Sequence, residues 1–402
     1  MKGIFQNKER EVSLFFGLLT VTSFFVVFVL PKIFSNHYVK QEIAGTIFAS
    51  STPKEVVFVA THVETPEPLK GIYMTSWIAS SKQLRENLVK IADETEINTI
   101  LIDIKDYSGK IVFPVENNPN LKAFGSEEVR VKDLKEFIAE LHKKNIYVIG
   151  RVAVFQDAYF VKHRPDLAVK TKDGSAVWKD RKGISWIDSG SREYWDYIIM
   201  IAKESHKIGF DEINFDYIRF PSDGNMQDIS FPFSSTTPKA NVMKNFFEYL
   251  HTKIESDSEL AGMKTSADLF GMVTNTYDDM GIGQVLENTL PYFDYIMPMV
   301  YPSHYPTNFQ GYKEPEAHPY EVVKFAMNEA VVRSEKLASS TGQDLVEYKN
   351  KMRPWLQDFG LRMTYGSAEV RAQIKATNDV GLTSWILWSP SNKYTKGALN
   401  LD

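Results

Sequence analysis

The chain has no cysteine among its 402 residues, which excludes disulfides and thiolate-held metal sites and leaves either redox compartment open. Its eight histidines (His37, His62, His142, His163, His206, His251, His304 and His318) show no paired zinc-ligand spacing. No Gly-x-Ser-x-Gly elbow and no glycine-rich phosphate loop occurs, so serine-hydrolase chemistry and nucleotide binding have no carrier, and neither a metal nor a cofactor is implied. No Lys/Arg-rich run exists and the formal net charge is −5, so no nucleic-acid partner is indicated. Long apolar runs are missing as well, with one exception.

That exception is Val12 to Leu30, which carries no charge and at ~1.5 Å per residue just spans a bilayer core. Lys2, Lys8 and Arg10 precede it, and Lys32 and Lys40 follow, a slight bias toward an N-terminus inside. A cleaved signal peptide would have a shorter apolar region and an Ala-x-Ala site close behind it, which is absent. The expectation is a short cytoplasmic stretch over residues 1–11, a single-pass transmembrane signal anchor over 12–30, and an extracytoplasmic tether over 31–68. A domain over 69–402 would then lie outside the cell membrane. Within the tether, Val56-Val57-Phe58-Val59 has the composition of a short strand.

What is present after Leu69 is alternation. Strands are expected at Gly71–Trp77, Thr99–Lys105, Ile146–Val154, Glu212–Ile218, Lys264–Phe270, Tyr295–Tyr301, Pro354–Phe359 and Thr383–Ser389. Helical stripes fall between several of them. Leu84, Leu88 and Ile91 follow a Ser81 cap; Leu134, Phe137, Ile138 and Leu141 form the next; Tyr194, Tyr197, Ile198 and Ile201 end at Gly209. Phe246, Tyr249, Leu250 and Ile254 follow Pro238, and Val370 with Ile374 follow Ser367. Eight strands alternating with helices suit an α/β fold of the (β/α)8 barrel type. A doubly wound open sheet would carry a glycine-rich first turn, which Ser76-Trp77-Ile78-Ala79-Ser80 lacks. Two insertions, 155–188 and 222–237, follow the third and fourth strands and belong on the C-terminal face, where barrels build their sites.

The most informative stretch is Gly209-Phe-Asp-Glu-Ile-Asn-Phe-Asp-Tyr-Ile-Arg-Phe-Pro-Ser222. Ile213, Phe215 and Tyr217 alternate with Asn214 and Asp216, giving one apolar and one polar face. A buried parallel strand is normally apolar on both faces, so Asp216 costs free energy unless a function or a bonding partner compensates. Asp103, between Ile102 and Ile104, and Asp268, late in the fifth strand, share that inward parity. Arg151 on the third strand and Gln357 on the seventh fit it too. Tyr301 and Trp388 offer aromatic walls, and His304 lies just past the sixth strand. Aromatics make up 13% of the chain, a content compatible with sugar platforms as well as with core. Met297 and Met299 read as barrel core.

Two acids in different environments are what glycosidic cleavage requires. The expected assignment is Asp216 as nucleophile or oxocarbenium stabiliser, kept ionised with help from Arg151 and Arg219. Asp268 is expected as general acid with a raised pKa, and Asp103 as a substrate-orienting group or a sharer of the acid role. Arg151, Arg219, Tyr301, His304, Gln357 and Trp388 are expected to contact substrate.

Gly183-Ile-Ser-Trp-Ile-Asp-Ser-Gly-Ser-Arg-Glu-Tyr194, a helix, and then the segment up to Pro221 resemble a family of glycoside hydrolase-like domains found in bacterial envelope proteins. Lys70-Gly-Ile-Tyr-Met74, Ile102-Asp-Ile-Lys-Asp106, Tyr295-Ile-Met-Pro-Met-Val-Tyr-Pro302 and Trp385-Ile-Leu-Trp388 support the resemblance, which covers Leu69 to Asn392. The group is similar in plan to alpha-amylase-like barrels. The resemblance implies a TIM barrel and a nucleophile at Asp216. In alpha-amylase-like barrels the donor at the fifth strand's end is typically a glutamate; here Asp268, one methylene shorter, takes that place. Three functions follow as alternatives: a membrane-anchored glycoside hydrolase acting as a monomer on a carbohydrate, a glycan-binding barrel without catalysis, and a structural envelope protein that docks a partner.

Overall fold

The computed structural model describes residues 58–401 apart from residue 117. The anchor at 12–30, the cytoplasmic stretch and the tether as far as residue 57, including the first two residues of the expected Val56–Val59 strand, lie outside the described residues. Among the described residues no helix is long and apolar enough to cross a membrane.

Eight strands close into one parallel barrel in sequence order: β1 Lys70–Met74, β2 Thr99–Lys105, β3 Tyr147–Ala153, β4 Glu212–Asp216, β5 Lys264–Phe270, β6 Tyr295–Met299, β7 Trp355–Gln357 and β8 Trp385–Trp388. β8 pairs back onto β1, with Gly71 opposite Ile386. Period-2 alternation sorts the side chains. Ile100, Ile102 and Ile104 of β2, Val148 and Val152 of β3, and Ile213 and Phe215 of β4 pack outward against the helices. Leu101, Tyr147, Ile149, Met297, Trp355 and Ile386 fill the barrel interior. β4 breaks this apolar filling by sending Glu212, Asn214 and Asp216 inward, all buried. At the N-terminal end Glu212 is compensated by Arg353 at 3.0 Å and by the Tyr147 hydroxyl at 3.2 Å.

All five expected helices form, at Lys82–Glu94, Leu134–Lys143, Arg192–Lys207, Lys239–Ser256 and Ser367–Asp379. Gly209, at φ 115°, turns the chain out of the third, a conformation a side chain would resist. Among the described residues the longest helix is Pro319–Thr341, whose buried face combines Val322, Val323, Met327 and Val331 with Ala326, Ala330, Ser334 and Ala338 and also takes in Arg333. Several strands are shorter than expected. The first ends at Met74, and Trp77 stands exposed on a short helix, Ser76–Ser80, capped by Thr75. The fourth ends at Asp216, because Tyr217 takes left-handed backbone at φ 53°.

The packed region begins before Leu69. Thr61 Oγ1 meets His142 Nδ1 at 2.9 Å, Val63 N donates to Asp211 Oδ1 at 2.9 Å, and Thr65 donates to the Tyr147 hydroxyl at 3.2 Å. These contacts seat the end of the expected tether on the barrel's N-terminal face. On the opposite face the two insertions pack together. Asp188 of the first accepts from Phe233 N and Ser234 Oγ of the second at 2.7 and 2.6 Å, and Trp178 donates to Asn225 O at 3.0 Å.

Candidate active site

The C-terminal ends of β2, β3, β4 and β5 bring four ionisable side chains together. Arg151 of β3 is at their centre. Its Nη1 donates to Asp103 Oδ1 at 2.6 Å, and its Nε and Nη2 both donate to Asp216 Oδ2, the former at 3.1 Å. The same Nε is 3.7 Å from Asp268 Oδ2. Burial opposes the arginine's charge, but Asp216 and Asp103 more than offset this, and its pKa sits well above the ordinary value. Oδ2 of Asp216 and Oδ2 of Asp268 can be no further apart than those two Nε contacts laid end to end. That limit on one oxygen pair is compatible with the ~5–5.5 Å carboxyl separation of retaining glycosidases.

The two acids differ in surroundings. Asp216 is held by charge-assisted bonds to Arg151 and by its neighbour's backbone, Tyr217 N donating to Oδ1 at 2.5 Å. Asp268 is 1% exposed. Its Oδ1 accepts from Trp355 Nε1 at 2.8 Å and Asn214 Nδ2 at 2.9 Å. Burial, and then the charge of Asp216, push the Asp268 pKa well above the carboxylate range; Arg151 and the two donors oppose this without reversing it. With Oδ1 occupied by two donors, a proton on Asp268 belongs on Oδ2.

Asp216 and Asp268 line one cavity of about 390 Å3 together with Arg151, Arg219, Tyr301, His304 and Trp388, a size usual for small-ligand sites. A second cavity of about 650 Å3 adjoins it through His304 and Trp388. Trp388 is half-buried and stacks on Tyr301 at 5.1 Å between centroids. His304 is exposed at the rim; its Nδ1 meets Ser303 Oγ at 2.9 Å, and partial desolvation lowers its pKa, which favours the neutral ring. Met299 lines the cavity, whereas Met297 is core. Tyr217 also lines it: the left-handed turn that ends β4 takes its ring out of the expected outward row. Such backbone costs about 1–3 kcal/mol and tends to persist where a site uses it.

Two expected residues stand elsewhere. Gln357 is fully buried, and its amide is spent: Oε1 accepts from Ser303 N at 3.0 Å, and Nε2 donates to Phe359 O at 2.8 Å and Glu316 Oε1 at 3.2 Å. It holds loops and has no group left for a substrate. Asp103 does not line the cavity; its oxygens are taken by Arg151 and the Tyr73 hydroxyl. Burial raises its pKa. Arg219 likewise makes no hydrogen bond to Asp216; Nη1 donates to Phe220 O at 3.0 Å and Ser222 Oγ at 3.3 Å. Conversely, Trp355, Tyr73 and Asn214 were not anticipated as site residues. Trp355 lies one pleat before Gln357 with the same inward parity, and Asn214 one pleat before Asp216, so period 2 pointed to both.

A closed (β/α)8 barrel with paired acids over an aromatic-walled cavity at its C-terminal rim is the build of a glycoside hydrolase. The chain belongs to the family described as "Putative glycosyl hydrolase domain", whose model matches residues 71–394. Among solved structures it is similar to the PgaB (BpsB) glycoside hydrolase domain from Bordetella bronchiseptica, at 12% identity and a TM-score of 0.54, covering 83% of this chain and 99% of that one. It is similar also to alpha-L-fucosidase isoenzyme 2 from Paenibacillus thiaminolyticus, at 12% identity and a TM-score of 0.51, covering 82% of this chain and 48% of that one. These two likenesses are of fold. A hypothetical protein from Ruminiclostridium thermocellum matches at 32% identity over 52% of this chain and 98% of its own, with a TM-score of 0.44. No curated protein matches the chain.

Proposed function

We propose that the protein is a membrane-anchored, extracytoplasmic glycoside hydrolase that cleaves an envelope or extracellular polysaccharide with two carboxylates. The observation that carries this is the contrast between two acids on one cavity: Asp216 bonded to a guanidinium, Asp268 buried with a raised pKa. In the proposed first step Asp268 Oδ2 gives its proton to the glycosidic oxygen as the C–O bond breaks. Asp216 adds to the anomeric carbon or stabilises its positive charge. In the second step Asp268, now ionised, takes a proton from the water that attacks the same carbon, which returns both acids to their starting states. Asp103 is a positioning residue that holds Arg151, and Trp388 over Tyr301 supplies an apolar face for a sugar ring. Val12–Leu30 would anchor the chain with the barrel outside and, as proposed, monomeric.

One observation favours a second reading, a glycan-binding barrel without turnover. Arg151 occupies Oδ2 of Asp216 and approaches Oδ2 of Asp268, the oxygens the chemistry would use. Hydrolysis of a polysaccharide library by the full-length protein, beside Asp216→Asn, separates the two. Release of reducing ends by the wild type alone supports the hydrolase. Saturable binding with no release from any glycan supports the binding barrel.

A further inference from the structure

We infer that the sugar bound beside the acid pair carries a carboxylate and that Arg219 holds it, which makes the substrate an acidic, uronate-bearing glycan. This rests on the hydrolase reading for the ligand's being a glycan, and adds its charge. Arg219 is 9% exposed and lines the same cavity as Asp216 and Asp268. The other buried arginines, Arg85, Arg333 and Arg353, each pair with a carboxylate. Among the described residues Arg219 pairs with none. Its Nη1 is used by Phe220 O and Ser222 Oγ, while Nε and Nη2 have no hydrogen-bond partner there. Neither atom is among the fully occluded polar atoms lacking a partner, so both keep some access, on a side chain that lines the cavity.

The rings of Trp186, Tyr217 and Phe270 lie 4.9, 5.6 and 4.7 Å from the guanidinium carbon. They favour a cation but accept no in-plane hydrogen bond. Of the neighbouring acids, Asp223 is part-exposed and makes no hydrogen bond or ion pair with Arg219, and the other two are already engaged. Asp180 takes Gln156, Trp186, Lys182 N and Ile184 N. Asp216 takes Arg151 and Tyr217 N. Burial lowers the pKa of Arg219, because holding its charge away from water carries a cost that the nearby acids offset only in part. The unspent Nε–Nη2 edge presents two parallel N–H groups, the fork that a carboxylate accepts bidentately. A neutral sugar would leave that cost in place, so the site discriminates by charge.

The test is calorimetric binding to full-length protein of an oligoglucuronate, its carboxyl-reduced neutral counterpart and a sugar phosphate of matched size, with hydrolysis followed in parallel. The wild type is expected to bind the oligoglucuronate at least about tenfold tighter than the neutral form, the scale of a charge-assisted pair. Arg219→Gln is expected to abolish that preference, and Arg219→Lys to keep part of it, since charge survives without the fork. Equal wild-type affinity for the acidic and neutral forms overturns the inference, and needs no variant to fold. Tighter binding of the sugar phosphate overturns the carboxylate assignment. Arg219-dependent binding of the acidic form without hydrolysis sustains this inference against the hydrolase reading. Cleavage of neutral glycans, unaltered in Arg219→Gln, does the reverse.

Discussion

The indole Nε1 of Trp355 donates to Oδ1 of Asp268 across 2.8 Å. β7 thereby determines which oxygen of a β5 carboxyl stays available, and the free one, Oδ2, is on the Arg151 side that Asp216 also uses. Catalytic acids are often made by burial, and this one is buried by barrel core and oriented by it as well.

The raised pKa of Asp268 has a consequence for stability. Its folded value lies above the ordinary ~3.9 of an aspartate, so over the window between the two the native state holds a proton that the unfolded chain releases. The stability carried by the protonated form is full below the ordinary value and is lost as pH rises through the folded value. Asp268→Asn cannot ionise and keeps an acceptor for Trp355 and Asn214. Thermal melts from about pH 4 to pH 8 should therefore show a smaller fall in Tm for this variant than for the wild type. An unchanged slope would mean that Asp268 is not the group holding the proton.

Arg151→Gln should be among the most damaging single changes. It removes the cation shared by Asp103, Asp216 and Asp268. Breaking a buried pair from one side costs about 3–5 kcal/mol. Denaturant titration should show that loss at neutral pH and a smaller one in acid, where the stranded carboxyls protonate. A variant as stable as the wild type at neutral pH would show that the clamp carries little.

Trp388→Ala tests the aromatic wall. Trp388 is half-buried, stacks on Tyr301 and meets Phe359 edge-on. The variant should fold, and KM should rise by roughly three- to tenfold, the worth of one aromatic stack, with kcat little changed. A fall confined to kcat would place the indole in the chemistry instead.

The fold boundary can be tested by truncation. A chain starting at residue 58 should be soluble without detergent and melt cooperatively. One starting at residue 69 loses the bonds to His142, Asp211 and Tyr147 and should be less stable by about 1–3 kcal/mol, the net worth of a few hydrogen bonds. Equal melting of the two would put the boundary back at Leu69.

The barrel was legible because eight short, largely apolar segments alternate with helical stripes, and Asp103, Asp216 and Asp268 interrupt three of those segments at inward positions. The site was legible only as far as parity reaches. Period 2 places Gln357 and Trp355 alike inward, and nothing local says that one amide is consumed by Ser303 and Glu316 while the other side chain meets Asp268. Tyr217 looked like the next outward residue because alternation assumes extended backbone, which ends at its positive φ. The 319–341 helix escaped notice because Arg333 lies on its buried side while Val332 stands exposed, which blurs the stripe of Val322, Val323, Met327 and Val331.

The division of labour between the two acids is best measured with two glycosides of one sugar, one with an aryl leaving group and one with an alkyl. Asp216→Asn should be inactive on both. Asp268→Asn should lose about 10²–10⁴-fold on the alkyl glycoside, which needs protonation, and far less on the aryl one, which does not. Near wild-type turnover by Asp216→Asn, or equal losses on both substrates for Asp268→Asn, would contradict this division of labour.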